Sequence, residues 1–278
     1  MHILEQYVEA KNGNSESCED GIAINDDFIA VIDGATSKSA FSFHSKTPGR
    51  IAMELIRESI LSLNPKIDAA GALKEINNHI RNWYCDHGFL ESMRHKSEER
   101  CIASLLLFSN LKKELWFVGD CQALVNGEAV QPQKQADRIL SDLRALLIHI
   151  ELINGKTEEE LLQHDTSREK ILDLLRLQTK LQNTSHYSDF SYYVIDGFDW
   201  DTTLGLRVIP LDKACGEIVL ASDGYPQLFP SLAESEDFLA KVLKEDPLCY
   251  KQFRSTKGRY GDNVSFDDRC YIRFKYKA

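Results

Sequence analysis

Three apolar segments that each stop at an aspartate constrain this chain more than any other feature. "FIAVIDG" (28–34) ends in Asp33-Gly34, "ELWFVGD" (114–120) in Gly119-Asp120 and "EIVLASDG" (217–224) in Asp223-Gly224. Short apolar runs bounded by turn residues read as buried strands. One Asp-Gly after a strand is ordinarily a turn, because Asp bonds its own backbone and Gly accepts positive φ. The set is harder to explain that way. Glu19 and Asp20 stand before "GIAIN" (21–25), and Asp267-Asp268 stand before "RCYIRF".

If the sheets bring these ends to one rim, five or six carboxylates converge. Like charges a few Å apart repel and raise each other's pKa, so such a cluster needs compensating charge. All-oxygen ligation without His or Cys points to a hard cation, Mg²⁺ or Mn²⁺. Two such ions can activate a water and grip a phosphoryl group.

The rest of the chain fits an ordinary globular protein, with 43% hydrophobic and 27% charged residues in 278. No repeat, low-complexity tract or long linker divides it, so it is read as one domain over 1–278. A net charge of −10 disfavours nucleic acid and anionic membranes as partners. No apolar run is long enough to span a bilayer and no signal peptide is evident, so a cytoplasmic location is expected. The seven cysteines (18, 85, 101, 121, 215, 249, 270) form no CxxC pair. Reduced thiols are expected rather than zinc ligands or disulfides.

Periodicity gives a coarse order of elements. "GIAIN" and "FIAVID" flank a turn at Asn25-Asp26-Asp27. Thr47-Pro48 starts a helix carrying Ile51, Leu55, Ile56, Ile60 and Leu63, and a second helix carries Leu73, Ile76, Ile80 and Trp83-Tyr84. Strands return at 101–109, 114–120 and 122–128, with Asn126-Gly127 as a hairpin turn. A Leu-rich helical stretch at about 136–182 follows. There Ile139, Leu143, Leu146, Leu147, Ile150 and Ile153 share one face, read as a packed amphipathic pair with the run at 171–177. Strands are expected again at 190–197, 203–211 and 217–224, then a helix at 234–244 and a terminal strand. Strands in hairpin-like clusters argue for a layered α+β domain, not a doubly wound parallel sheet.

The ordered set "ED…(V)IDG…ASLLLF…GD(C)QA(L)…LASDG…DDRCYI" resembles the metal-dependent Ser/Thr protein phosphatases of the 2C (PPM) type, in a divergent, bacterial-style form. The likeness runs from about Glu19 to Phe274. It implies a four-layer α-β-β-α sandwich around two central antiparallel sheets, with the 136–182 helices as an insert. It implies two Mn²⁺ or Mg²⁺ ions at one end of that sandwich, and a weaker third. Asp33 would bridge the two ions and the Gly34 carbonyl would add an oxygen. Asp223 and Asp267 would complete one shell, Glu19 and Asp20 would reach the other ion, and Asp120 would stand by the third site. Asp33 and Asp223 are thus the residues closest to the chemistry, an in-line attack by an ion-activated water on a phosphorylated protein or a small phosphomonoester. "YYVIDG" (192–197) copies "AVIDG" almost letter for letter, but in the family that segment supplies no ligand, so Asp196 is read as a turn. For the last ligand, Asp262-Asn263 is the fallback to Asp267, which directly precedes an alternating apolar strand.

Two departures from the family bear on catalysis. Ala35-Thr36-Ser37 stand where its His-Gly-Gly would follow the Asp-Gly, and His44 does not match that His in position. No Arg precedes Arg50, so the family's phosphate-holding Arg is missing. Lys11 is read as a solvated surface residue, and Lys38 and Arg50 are substitutes without a motif. A non-catalytic phosphatase-like binding or regulatory module is therefore the alternative reading. The haloacid-dehalogenase resemblance of "VIDGAT" fails, because the nucleophilic Asp would fall at Val31.

Overall fold

The computed structural model describes residues 1–278 except 37, 39–40, 44, 133, 187, 212–215 and 278. Ser37, His44 and Cys215, considered above, lie outside the described residues. The elements run β1 His2–Glu9, β2 Asp20–Ile24, β3 Phe28–Gly34, α1 Pro48–Ser62, α2 Ala69–Asp86 and α3 Leu90–His95. They continue with β4 Ala103–Ser109, β5 Glu114–Val118, β6 Gln122–Val125, β7 Glu128–Val130, α4 Gln135–Ile153, α5 Glu158–Gln163 and α6 Thr166–Leu177. Last come α7 Thr202–Gly205, β8 Arg207–Pro210, β9 Gly216–Ala221, α8 Leu232–Glu245 and β10 Arg269–Tyr276.

Two five-stranded sheets form, both wholly antiparallel, in the orders β1-β10-β9-β6-β7 and β2-β3-β4-β5-β8. Alternation along the strands splits their side chains between two faces. Ile29, Val31, Leu106, Phe108 and Phe117 of one sheet meet Ile218, Leu220, Ile272 and Phe274 of the other in a buried middle layer. The opposite faces of β3 and β4 pack Ala30, Ile32, Leu105 and Leu107 on Ile56, Ile60, Ile76 and Ile80 of α1 and α2. Val219 and Tyr271 pack under Leu239 of α8. The result is the α-β-β-α sandwich expected from the motif order.

Local signals place several elements where the sequence puts them. Thr47 caps α1 through its side chain with Pro48 at the first position, and Asp68 caps α2 at Gly71 N. Asn126 and Gly127 take φ of 50° and 87°, the hairpin turn joining β6 to β7.

Three segments depart from expectation. β1 carries an alternating, half-polar sequence on a sheet edge, where the apolar signal is weak. Residues 190–197, expected as a strand, make only isolated bridges (Ala103–Ile195, Gln182–Tyr192), because β5 covers β4 over Leu105–Ser109 and leaves only a bridge at Ala103 for Ile195. Of 203–211, the first part is helical, started by Asp201 accepting from Thr203 N at 3.0 Å, and only Arg207–Pro210 pairs with β5.

The face of α4 is also a correction. Leu143 and Leu147 pack with Ile171 and Leu175 of α6 as expected, but Ile139, Leu146, Ile150 and Ile153 are exposed. The buried face carries Leu140, Ser141, Arg144, Ala145 and Ile148 instead. Arg144 is the reason. Fully buried, it pairs with Asp165 at 2.6 Å and donates to the carbonyls of Leu248 (2.8 Å) and Ser255 (3.0 Å). A satisfied guanidinium thus turns α4 toward the 248–255 segment. Among the described residues, no helix is long and apolar enough to cross a membrane, and all six described cysteines are free.

Candidate functional site

Strand register assembles the acids. β2 and β3 pair Asp20 with Asp33, and β3 and β4 pair Asp33 with Ser104. Asp120 follows β5 after Gly119, whose φ of +91° suits glycine. A Cβ on Gly119 would also lie 2.2 Å from Ser104 Oγ, the hydroxyl that donates to Asp120 Oδ1 at 2.6 Å. The second sheet delivers Asp223 just beyond β9 and Asp267 just before β10. Oxygens of Asp33, Asp120 and Asp223 lie within 4.8 Å of one another. At Gly34 a Cβ would stand 2.4 Å from Glu19 O and 2.5 Å from Gly49 O, so the close approach of three backbones demands glycine.

These residues floor a cleft of about 450 Å³. Asp33, Gly34, Asp120, Asp223 and Asp267 all line it. Its walls come from α4, the 175–182 segment and the 253–257 segment. The helical stretch therefore overhangs the acids.

The carboxylates divide by their partners. Burial, then the charges of Asp20, Asp120 and Asp267, push Asp33 well above the usual range. Burial also pushes Asp20 up, together with Asp267 and Asp268. Asp120 and Asp267 go the other way. Burial would raise both, but Lys134 holds Asp120 below the ordinary value at 3.2 Å, and Lys257, in contact with Asp267, does the same there with help from Lys11.

Two buried oxygens, Glu19 Oε1 and Asp20 Oδ2, have no hydrogen-bond partner among the described residues. The other oxygen of Glu19 accepts from Thr36 Oγ1 at 2.7 Å and from Lys11 Nζ at 3.3 Å. Lys11 thus corrects its surface reading. It is largely buried, 3.7 Å from Asp267 and 3.5 Å from Asp268. Asp268 itself accepts the backbone N–H groups of Lys11 and Glu19, both at 2.8 Å, and so locks the β1–β2 connection.

Three sequence candidates stand apart. Asp262 is exposed and does not line the cleft. Asp196 closes a turn by accepting from Phe198 N, but it is also fully buried in an ion pair with Arg100 at 2.9 Å, which its sequence did not reveal. Arg50 pairs with Glu54 at 2.8 Å and with the Cys18 carbonyl, away from the cleft. Lys134 and Lys257 carry no motif, and only the tertiary structure sets them against the acids.

The donor set suits hard cations. It is all oxygen, it includes two orphaned buried carboxylate oxygens, and it is overloaded with negative charge. If all were ionised, seven carboxylates (Glu19, Asp20, Asp33, Asp120, Asp223, Asp267, Asp268) would face three paired ammonium groups (Lys11, Lys134, Lys257), an excess of four charges that pushes Asp20, Asp33 and Asp223 toward the neutral form. Two divalent ions would balance it.

No protein-family model matches the chain, and no curated protein does. Among solved structures, the chain aligns with the serine/threonine phosphatase PstP/Ppp of Mycobacterium tuberculosis over 100% of both chains, at 14% identity and a TM-score of 0.50. The catalytic domain of PstP in complex with two manganese ions aligns over 100% of both chains at 12% identity and a TM-score of 0.48. RsbX in complex with magnesium covers 98% of this chain and 96% of its own, at 14% and 0.44. The likeness to PstP/Ppp shows a shared fold, that of the 2C-type phosphatases.

Proposed function

We propose, on the premise of that fold, that this chain is a metal-dependent phosphomonoester hydrolase acting on phosphoserine or phosphothreonine in proteins. The observation that carries the reading is the convergence of Asp33, Asp120 and Asp223 within 4.8 Å, beside two orphaned carboxylate oxygens. A binding module has no need to gather such charge. Asp33 with Asp223 and Asp267 would hold one ion, Asp33 with Glu19 and Asp20 the other, the Gly34 carbonyl would add an oxygen, and Asp120 would stand by a weaker third. Bound there, Mn²⁺ or Mg²⁺ supplies an acidified water and withdraws charge from the phosphoryl oxygens.

The chain's own residues do the remainder. Asp33 and Asp20, with raised pKa values, favour the protonated form in the metal-free protein and would give up those protons to hold an ion. Ser104 holds Asp120 in one orientation, and Thr36 does the same for Glu19. The overhanging 175–182 and 253–257 segments narrow access, so an exposed phosphorylated side chain enters more readily than a folded surface.

Hydrolysis of p-nitrophenyl phosphate tests this. Turnover should require Mn²⁺ or Mg²⁺, vanish with EDTA and be nearly eliminated in Asp33→Asn. Turnover indifferent to metal would sink the two-ion mechanism. One observation favours the alternative, a binding or regulatory module. Lys11, Lys134 and Lys257 already pair with four of the acids. Tight Mn²⁺ binding without turnover on phosphopeptides would select that reading.

A further inference from the structure

We propose that Lys38, on the wall of the cleft that Asp33, Asp120 and Asp223 also line, anchors the substrate's phosphoryl group. This rests on the hydrolase reading and moves a role held in the resembling family by an arginine before the Glu-Asp pair. Here it falls to a lysine on the loop after β3.

The other basic groups of the cleft are largely committed. Lys134 holds Asp120 and Asp137, Arg100 holds Asp196, Arg254 holds Asp142, and Lys257 holds Asp267. Arg138 is exposed at the mouth. Lys38 differs from all of them. Its ammonium lines the cleft with Asp33, Asp120 and Asp223, and its sole donated bond among the described residues goes to the Thr36 carbonyl at 3.0 Å. No carboxylate pairs with it among the described residues. An ammonium has three donors, and the described residues use one of them.

Cations outweigh anions in the field that acts on Lys38. Burial, then the like charges of Lys257, Lys134 and Arg168, lower the Lys38 pKa to about 8, with Asp137 the weaker opposing influence. A cationic group withdrawn from water among other cations is stabilised most by a dianion, and a phosphoryl group supplies one with strong acceptor oxygens.

The loop is positioned for the task. Gly34 lies four residues before Lys38, so one chain segment carries both the acid of the floor and the base of the wall. Arg176 at the end of α6 donates to the Lys38 carbonyl at 3.2 Å, tying that loop to the overhanging helices. Arg168 donates to the Thr256 carbonyl and so holds the segment that bears Lys257.

The test is calorimetric titration of the full chain with inorganic phosphate in saturating Mg²⁺, beside a separate Mg²⁺ titration. Lys38→Ala should weaken phosphate binding about 10- to 100-fold, the usual loss for a bond to a charged group. Lys38→Arg should recover most of it, and Lys38→Gln should not. Mg²⁺ affinity should stay at the wild-type value in all three, which a misfolded or merely structural variant would not show. In phosphopeptide hydrolysis, Lys38→Ala should raise KM more than it lowers kcat. Unchanged phosphate affinity in Lys38→Ala, or no phosphate binding by the wild type, overturns the assignment. Absent hydrolysis by a wild type that still binds phosphate through Lys38 would instead refute the hydrolase reading and leave the subsite standing.

Discussion

Replacing Asp33 by Asn should make the metal-free protein more stable, although it removes a residue central to the site. Asp120 and Asp267 are offset by Lys134 and Lys257. Asp33 and Asp223 have no ammonium in contact among the described residues. With oxygens within 4.8 Å of each other, an effective dielectric constant of about 20 gives a repulsion of at least about 3.5 kcal/mol. Protonation offers an escape, but keeping a carboxyl of ordinary unfolded pKa neutral at neutral pH costs about 4 kcal/mol, so the two routes share a ceiling. For 278 residues, an unfolding entropy of about 2.1 cal/mol/K per residue converts 3.5 kcal/mol into about 6 °C of Tm.

The pH dependence has a definite sign. A carboxyl whose folded pKa is raised binds its proton more firmly in the folded state. Its contribution is fully present below the unfolded pKa and is lost as pH rises through the folded one. The metal-free wild type should therefore lose stability as pH climbs above the ordinary carboxylate range, and Asp33→Asn should lose less. Metal should reverse the ranking. At a hundred times its Kd, an ion stabilises the wild type by about 2.7 kcal/mol, or about 5 °C, and the variant by much less. Calorimetric melts in EDTA and in Mn²⁺, across acidic and neutral pH, read all of this. An Asp33→Asn protein less stable than wild type in EDTA at every pH would mean that Asp33 serves a compensated structural network, and the case for an ion site built on charge excess would fall.

Two further perturbations probe the framework around the site. Gly34→Ala pushes a Cβ into two backbone carbonyls, Glu19 O at 2.4 Å and Gly49 O at 2.5 Å; denaturant unfolding should show a loss of about 1–3 kcal/mol or more, and an unchanged midpoint would show that the three backbones can part freely. Arg100→Leu strands the buried Asp196 and should cost about 3–5 kcal/mol. Because Asp196 is pushed up by burial even with Arg100 beside it, that cost should grow as pH rises, and a flat pH profile would refute the buried-charge account.

Much of this architecture is legible in local pattern. Runs such as Phe28–Ile32 and Leu105–Phe108 leave little choice but burial, and capped starts such as Thr47-Pro48 mark helices whatever surrounds them. The 190–197 segment shows the limit. Its letters match β3 closely, yet β5 covers β4 over Leu105–Ser109 and leaves only a bridge at Ala103 for Ile195, and pairing partners are a global quantity. The face of α4 misleads for a similar reason. Four residues of its apolar stripe face solvent, while the buried face carries an arginine with satisfied donors.

The sequence alone determined which acids stand at strand ends, since strand ends are local features and Asp33, Asp120, Asp223 and Asp267 each follow or precede one. It also pointed to a hard cation as the fitting counter-charge for the carboxylate-rich set, because ligand chemistry travels with residue type. Only the tertiary structure decided which acids meet, that Asp262 stays outside and that Lys11, Lys134 and Lys257 stand among them. It also left Lys38 without a counter-charge among the described residues. Coulomb energy depends on distance in space, and residues more than two hundred positions apart, such as Lys11 and Asp267, acquire that distance only when the two sheets close on each other.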